Sequence, residues 1–402
     1  MGDNVLMPVA EAQKRIVDAI QPTVPERVVL AKAYGRVLAG NVVAQRTQPP
    51  FDLSAMDGYA VRASDVTELP ARLSVVGEAA AGGGYEGTLG KDQAVRIFTG
   101  APLPKGADAI VIQEDATRDG DHVILHVAAR VGCHVRKTGI DFKEGSVGLA
   151  AGRKLSAADI AFAAAMNMPN VIVHRRPKIA YFSTGDELVL PGATPGPNQI
   201  ISANNDGLAA LIEEAGGVPF DLGVVADEVI AIQSAGRHAQ DSDMLVTLGG
   251  ASVGDHDLVQ KALGADGLKV DFWRIAIRPG KPLMFGTYRE LPMLGLPGNP
   301  VSALVCAHLF LVPAIAAMQG ARRPPRLMQA RLGRDLPAND QREDYMRATL
   351  AEDGDALPVA TPFEKQDSSM LSVISAADCL VVRPPHVAAA KAGDVVKVIL
   401  LR

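Results

Sequence analysis

The chain contains few of the residues on which several common functional sites depend. Only three of its 402 residues are cysteine, and Cys133, Cys306 and Cys379 stand too far apart for metal-ligand spacing. An odd, scattered set of cysteines is typical of reduced thiols, so we expect a cytoplasmic protein. Aromatic residues make up 4% and the formal charge is −5, which argues against a base-stacking surface and against nucleic acid as a partner. An anionic ligand must therefore be held by a local cluster of cations.

The sequence also lacks the apolar segments that signal peptides and membrane spans require. Asp3, Asn4 and Pro8 interrupt the first ten residues, so we expect no signal peptide there. The longest apolar stretch, 301–318, contains His308 and Pro313. It predicts a buried core helix, and no membrane is expected as a partner.

The length predicts two to four domains, and the pattern of the sequence changes along the chain. Short β-branched runs within 45–144 predict a compact β-rich domain. From residue 178, strand-like and helix-like runs alternate, which predicts a parallel three-layer α/β domain. Beyond the proline-marked linker at 322–325, the pattern predicts a small all-β domain. The predicted helices are 9–20, 28–43, 156–166, 203–216, 228–239 and 301–318; the predicted strands are 72–77, 93–98, 109–113, 122–127, 178–183, 218–225, 243–248, 272–277, 292–296, 328–332, 345–350, 379–383 and 395–400.

Three glycine-rich turns follow strand-like runs or precede a helix in the α/β region. They are Leu248-Gly-Gly-Ala-Ser-Val-Gly254, Arg278-Pro-Gly-Lys-Pro282 and Leu296-Pro-Gly-Asn-Pro-Val-Ser302. Loops beyond the carboxyl ends of neighbouring parallel strands converge on one crevice, where ligands bind. Glycine lets backbone N–H groups approach a phosphate-like oxygen closely. The turns therefore predict a site for a phosphorylated ligand.

The first turn is the strongest single signal, because glycines with a serine can cradle a phosphate and acidic residues follow at once. Its members are Gly249, Gly250, Ser252, Gly254 and the nearby Asp257. The turn lacks the lysine of a Walker A loop and the glycine spacing of a dinucleotide fingerprint, which disfavours kinase and hydride-transfer functions. Arg278 and Lys281 bring two cations to the same edge, suited to an oxyanion.

A second candidate ligand-binding turn follows the predicted strand 178–183. Ser183 and Thr184 supply hydroxyls, Gly185 permits close backbone approach, and Glu187 could hold Mg²⁺ against a substrate phosphate. Glu187 could instead complement the N-terminus of the next element.

Three polar residues stand out in the β-rich region, each with a structural alternative. Asp57 sits in a turn with its carboxylate free, or bonds its own backbone. Thr99 could bind a phosphate or a hydrated metal beside Gly100, or close a turn. Asp141 lies among cations in 136–143, which could also be a solvated loop.

Six motifs occur in an order that identifies a family. They are Pro50–Arg62, Phe98–Val111, Ser183–Leu188, Gly249–Gly254, Arg278–Pro282 and Leu296–Ala303. The chain resembles the molybdopterin molybdenumtransferases, which include the bacterial MoeA proteins and the C-terminal domain of gephyrin. The resemblance covers about residues 8–400, nearly the whole chain.

The resemblance implies an α/β plus β fold in an elongated homodimer of four-domain subunits. A linking domain would combine 25–44 with 145–170, and the β-rich domain, 45–144, would reach the active site of the partner subunit. A three-layer α/β molybdopterin-binding domain would join 7–24 to 171–322, and a β-barrel-like domain would span 323–402.

The resemblance also implies a reaction in which adenylylated molybdopterin and molybdate give molybdenum-molybdopterin and AMP, with Mg²⁺. Catalysis would fall to Asp57, Thr99, Asp141, Glu187, Asp227, Asp257 and Lys281. The substrate would be held by Ser183, Thr184, Gly185, Gly249, Gly250, Ser252, Gly254, Pro297, Gly298 and Asn299. Molybdate oxygens would be gathered by Arg278, Lys281, Arg342 and Ser369, and Mg²⁺ by Glu187 and Asp257.

Two other functions remain open from the sequence. A molybdopterin adenylyltransferase shares the α/β domain but would not need 45–144 or 323–402; the same enzyme, as a separate protein, is the expected supplier of substrate. A non-catalytic scaffold of the gephyrin type would not need the acidic residues named above.

Overall fold

The computed structural model describes residues 6–250, 258–321, 327–354 and 356–401. Hydrophobic clusters lie in the linking, β-rich, α/β and C-terminal regions, and the expected α/β plus β fold is confirmed. The α-helices are Val9–Ala19, Ala157–Ala165, Asn204–Glu214, Val229–His238, Leu258–Ala265, Pro300–Met318 and Leu371–Ala376.

The linking region is built from two antiparallel strand pairs and one helix. Strand Pro25–Val29 pairs with Asn170–His174, and Val42–Val43 pairs with Val147–Leu149. The predicted helix 28–43 is wrong: its first residues belong to the strand Pro25–Val29 and to a 3₁₀ turn at Leu30–Lys32. Pairing of the β-branched residues with a distant strand outweighs local helix propensity here, and Gly35 adopts φ +73°. The helix Ala157–Ala165 is confirmed, with Ser156 and Asp159 forming a capping box.

The β-rich region forms a curled six-stranded sheet. In spatial order its strands are Ala109–Ile112, Gly58–Val61, Gln93–Ile97, Ala71–Ala79, His122–Leu125 and Ala116–Asp119. All four predicted strands are present, and Gly58–Val61 and Ala116–Asp119 are additional. Gly58 is required at its position, because a Cβ would lie 2.0 Å from the carbonyl oxygen of Val111 on the neighbouring strand.

The α/β region forms a six-stranded sheet with helices packed against it. Its strand order is Val218–Val225, Lys178–Thr184, Met244–Leu248, Leu291–Leu296, Met284–Tyr288 and Leu268–Trp273. The first four strands are parallel, as predicted, but Met284–Tyr288 runs antiparallel to both of its neighbours, Leu291–Leu296 and Leu268–Trp273, so the sheet is mixed. Arg289 and Glu290 explain the reversal, because both have positive φ (48° and 72°) and close a two-residue hairpin.

The predicted core helix is the 19-residue Pro300–Met318. It is the one helix within the described ranges with the length and hydropathy (2.2) to cross a membrane, and 72% of that window is buried in the fold. A π-helical turn at Ala307–Leu311 precedes Pro313, which has no N–H to continue regular bonding. The helix therefore belongs to the protein core and directs its N-terminus to the carboxyl edge of the sheet.

The C-terminal region is a closed five-stranded β-barrel. Its strands close in the order Glu343–Ala351, Val359–Pro362, Leu327–Leu332, Val395–Leu400 and Cys379–Arg383, of which Val359–Pro362 was not predicted. The short strand Ile277–Arg278 leaves the α/β region and pairs with Glu343 and Asp344. This pairing fixes the barrel beside the glycine turns.

Candidate active site

A cleft of about 1320 Å³ lies between the carboxyl edge of the α/β sheet and the β-barrel. Loops after the four parallel strands and the segment 277–282 form one side, and Arg342 with residues 366–369 forms the other. Thirteen of the predicted residues line it: Thr184, Gly185, Glu187, Asp227, Gly249, Gly250, Arg278, Lys281, Pro297, Gly298, Asn299, Arg342 and Ser369. Ser252, Gly254 and Asp257 lie outside the described residues.

The glycine turn at 249–250 has a conformation and a position that require glycine. Gly249 and Gly250 have φ of +90° and +64°. A Cβ on Gly249 would stand 3.0 Å from the Thr184 carbonyl oxygen, and one on Gly250 would stand 2.2 Å from Val259 Cγ2. The backbone of this turn is thereby held against the neighbouring strand end, as expected for close approach to a ligand.

Two carboxylates line the cleft on loops that follow strands Lys178–Thr184 and Val218–Val225 of the α/β sheet. Glu187 and Asp227 are both exposed, and the Asp227 N–H donates to Asp186 Oδ1 at 3.2 Å. Gly185 lets Glu187 fold back over the turn, because a Cβ there would lie 2.6 Å from Glu187 Oε2.

Ser183 does not reach the cleft. It is 1% exposed, and its hydroxyl donates to the side-chain oxygen of Asn205, whose Nδ2 donates to Asp221 Oδ1 at 2.8 Å. The alternation of side chains along the strand turns Ser183 to the buried side, so it supports the turn from behind rather than contacting a ligand.

The cations of the cleft differ in their partners. Arg278 is bound by the barrel: its guanidinium lies 2.9 Å from Asp344 and 3.1 Å from Asp340 and donates to Asn339 Oδ1 at 2.8 Å. Lys281 is exposed, and its ammonium makes no hydrogen bond or ion pair within the described part of the chain. Lys281 is therefore the cation best placed to meet a ligand, whereas Arg278 joins its loop to the barrel.

The barrel side of the cleft is itself ordered by short polar contacts. Arg342 Nη2 donates to Asp340 Oδ2 at 3.0 Å, and the Ser369 hydroxyl donates to Asp367 Oδ1 at 2.6 Å. These hydrogen bonds lower the pKa values of both aspartates below their usual range. Asn299 Nδ2 donates to Ser368 Oγ at 3.1 Å, which connects this segment to the third glycine turn.

Comparison with known families accounts for nearly the whole chain. Residues 7–167 match the MoeA N-terminal region (domain I and II), 180–317 match the probable molybdopterin binding domain, and 329–401 match the MoeA C-terminal region (domain IV). The chain belongs to the molybdopterin molybdenumtransferase family.

Relatives and solved structures agree with this assignment. The chain is 34% identical over 384 residues to the molybdopterin molybdenumtransferase of Haemophilus influenzae, covering 94% of each chain. It is 32% identical over 409 residues to that of Bacillus subtilis, covering 98% of this chain and 94% of the relative. A crystal structure of a molybdopterin biosynthesis MoeA protein from Pyrococcus horikoshii superimposes with a TM-score of 0.84 at 32% identity, covering 99% and 100% of the two chains.

The predicted residues of the β-rich region lie apart from the cleft of their own chain. Thr99 donates from its N–H and its hydroxyl to Asp57 Oδ1, at 2.7 and 2.8 Å, which lowers the pKa of Asp57. The expectation of a free Asp57 carboxylate is therefore wrong for one of its two oxygens. Asp141 is exposed, and its N–H donates to the Gln48 carbonyl oxygen at 3.1 Å.

Sequence reasoning passed over Ser302, which lines the cleft, and Arg347, which is buried and bonded through its backbone to the cleft residue Gln366. Ser302 lines the cleft at 4% exposure near the N-terminus of the core helix, and its hydroxyl has no partner among the described residues. Arg347 is 1% exposed, its Nε and Nη2 have no partner in the described ranges, and burial lowers its pKa. Gln366, a cleft residue, bonds the backbone N–H and carbonyl of Arg347. The motif around Ser302 was visible in the sequence, but nothing there distinguishes the buried Arg347 from Arg342.

Proposed function

We propose that this transferase inserts molybdenum into molybdopterin, taking adenylylated molybdopterin and molybdate and releasing AMP. One observation carries the proposal: a single cleft holds exposed lysines, exposed carboxylates and a glycine turn whose backbone can approach a phosphate closely. A tetrahedral dianion suits the charge-assisted donors at the barrel end, and a diphosphate suits the glycine turn.

Different residues of the cleft bind molybdate and the pterin substrate. Lys281, Arg342 and Ser369 bind molybdate as a substrate, and Arg278 contributes by fixing the loop that carries Lys281. Thr184, Gly249, Gly250 and the turn 297–299 hold the substrate between the sheet and the barrel. Lys281 offsets negative charge that grows at the reacting oxygens.

The carboxylates of Glu187 and Asp227 fit a Mg²⁺ ion that substrate phosphates also bind. The described residues contain no group of three His, Cys, Asp or Glu placed to hold a metal, but Glu187 and Asp227 both face the cleft. Mg²⁺ is commonly held by one or two carboxylates together with substrate phosphates, and such a site needs no protein cage. Bound there, Mg²⁺ would neutralise charge on the leaving phosphate, and Asp257 remains a further proposed ligand.

We also propose a cytoplasmic homodimer in which Asp57, Thr99 and Asp141 serve the cleft of the partner. They do not line their own cleft, and the linking region exposes the facing pair Val43 and Val147 together with Val29 and Tyr34. Exposed apolar residues of this kind mark interaction surfaces.

The three free cysteines suit a reducing compartment. A separate adenylyltransferase would supply the substrate.

The shared site predicts complementation between two inactive variants. Asp57→Ala and Lys281→Ala should each be nearly inactive, whereas a refolded equal mixture should regain about a quarter of wild-type AMP release, because random pairing leaves one site in four intact. The measurement is AMP release by each variant and by the mixture. An inactive mixture that contains mixed dimers would contradict a site shared between subunits.

The function itself is tested by AMP release from adenylylated molybdopterin by the purified chain. We expect release that requires both molybdate and Mg²⁺, with a molybdenum-loaded pterin recovered. Adenylylation of molybdopterin from ATP would instead support the adenylyltransferase function. Unchanged cofactor synthesis after alanine substitution of Asp57 and Asp257 would support a scaffold.

A further inference from the structure

The guanidinium of Arg96 is bonded to the segments on either side of Asp57. Arg96 Nη1 donates to the Gly58 carbonyl oxygen at 3.0 Å, and Nη2 donates to Gln113 Oε1 at 2.7 Å. Gln113 in turn donates from its N–H to the Asp57 carbonyl oxygen at 3.1 Å. One side chain therefore holds both ends of the short stretch of backbone that carries Asp57.

The same guanidinium lies close to two aromatic rings. Its central carbon is 4.8 Å from the centre of the Phe98 ring and 5.2 Å from the centre of the Tyr59 ring. Aromatic rings attract a guanidinium placed over them. Phe98 directly precedes Thr99, so Arg96 also fixes the chain at Thr99.

The pair of Asp57 and Thr99 has one carboxylate oxygen left for a ligand. Both Thr99 hydrogen bonds go to Asp57 Oδ1, and in the described part of the chain none goes to Oδ2. The hydrogen bonds from Thr99 lower the pKa of Asp57, and the charge of Arg96 lowers it further. The surroundings of Asp57 thus fix the direction of its carboxylate and keep it ionised.

We propose that Arg96 is a positioning residue for molybdenum insertion, which fixes Asp57 and Thr99 in one geometry so that Asp57 Oδ2 meets the substrate in the partner's cleft. The inference rests on the proposed function. Arginine suits this role because its planar fork donates in fixed directions and also stacks on aromatic rings. Arg96 does not line the cleft of its own chain, and it acts through the pair.

Kinetics of Arg96 variants test the proposal. Arg96→Ala should lower kcat for AMP release about 10- to 100-fold, because the pair keeps its chemical groups but loses its fixed position. KM for molybdate should not change, since Lys281 and the barrel residues bind that anion. In a chain that already carries Asp57→Ala and Thr99→Ala, the same substitution should cause no further loss of the single-turnover rate, because no pair remains to be positioned.

Hydrogen exchange provides a second readout that requires no turnover. The N–H groups of Thr99 and Gln113 both donate to Asp57, so their exchange rates report whether the pair is held in place. Arg96→Ala should raise both rates at least tenfold. Arg96→Lys keeps the charge but not the fork, so it should show a smaller rise and retain part of kcat; it serves as the test if the alanine variant does not fold.

Arg72→Ala is the matched control. Arg72 is an exposed arginine of the same sheet, and its guanidinium donates to Asp119 at 3.0 Å on the last strand in the spatial order. This variant should leave kcat and both exchange rates at the wild-type values.

Three results would overturn the positioning role. They are unchanged exchange at Thr99 and Gln113 in Arg96→Ala, a raised KM for molybdate with constant kcat, and a further loss in the chain that already lacks the pair. Exchange needs no substrate, so faster exchange in Arg96→Ala together with a wild-type chain that never releases AMP would refute only the proposed function.

Discussion

Replacing Lys281 with alanine is expected to lower kcat/KM for molybdenum insertion by about 100- to 1000-fold, the usual effect of removing one donor that stabilises a developing oxyanion. Lys281 is the cleft cation without a partner in the described part of the chain, and Arg278 beside it is held by Asp340 and Asp344. We therefore expect little compensation from Arg278. KM for molybdate should rise as well, since the same ammonium binds the free dianion.

The Lys281 variant should fold normally, because the side chain is exposed and surface substitutions usually change stability by less than about 0.5 kcal/mol. Lys269→Ala is the control: it removes an exposed lysine of the same domain that does not line the cleft, and activity should be unaffected. Lys281→Arg should recover part of the activity. Wild-type kinetics in Lys281→Ala would show that molybdate does not react beside Lys281.

Replacing Gly280 with alanine is expected to destabilise the protein by roughly 2–4 kcal/mol and to abolish most activity. Gly280 has φ +106°, and a Cβ there would stand 2.2 Å from the sulfur of Cys306, which is fully buried in the core helix. The loop would have to shift, and Lys281 is the next residue. Thermal unfolding and AMP release measure the two effects.

Two further variants separate the clash from backbone strain. Gly192 has φ +92°, and no atom lies within 4 Å of the place where its Cβ would stand, so Gly192→Ala should cost only the conformational strain, about 1 kcal/mol. Adding Cys306→Ala to Gly280→Ala should recover part of the lost stability because it removes the sulfur. A Gly280→Ala protein as stable and active as the wild type would contradict this packing.

The parallel part of the α/β fold could be predicted because its signals are local. Three of its strands, Lys178–Thr184, Met244–Leu248 and Leu291–Leu296, are largely buried apolar runs followed by turns, and Gly249 and Gly250 occupy positions that only glycine tolerates. Two errors of the sequence prediction have the same kind of cause: the helix predicted at 28–43 and the hairpin strand Met284–Tyr288 that was not predicted. Their conformations depend on pairing with residues far along the chain or on two consecutive residues with positive φ.

The site was predictable as a set of residues but not as a set of contacts. Arg278 and Lys281 look equivalent in the sequence, yet two barrel carboxylates form ion pairs with Arg278 and neither does so with Lys281. Ser183 and Thr184 also look equivalent, but the alternation of the strand buries the Ser183 hydroxyl against Asn205. Arg347 was missed because a buried guanidinium with two nitrogens that lack a partner in the described ranges can be recognised only when its surroundings are known.

The most direct test of the account is a single-turnover reaction that counts both products. Adenylylated molybdopterin bound to the purified chain is mixed with molybdate and Mg²⁺, and AMP and molybdenum-loaded pterin are quantified over time. The account predicts that both products form together, in equal amounts, and that neither forms without molybdate. AMP released at the same rate without molybdate, or a molybdenum-free pterin as the only product, would contradict the claim that this cleft inserts molybdenum.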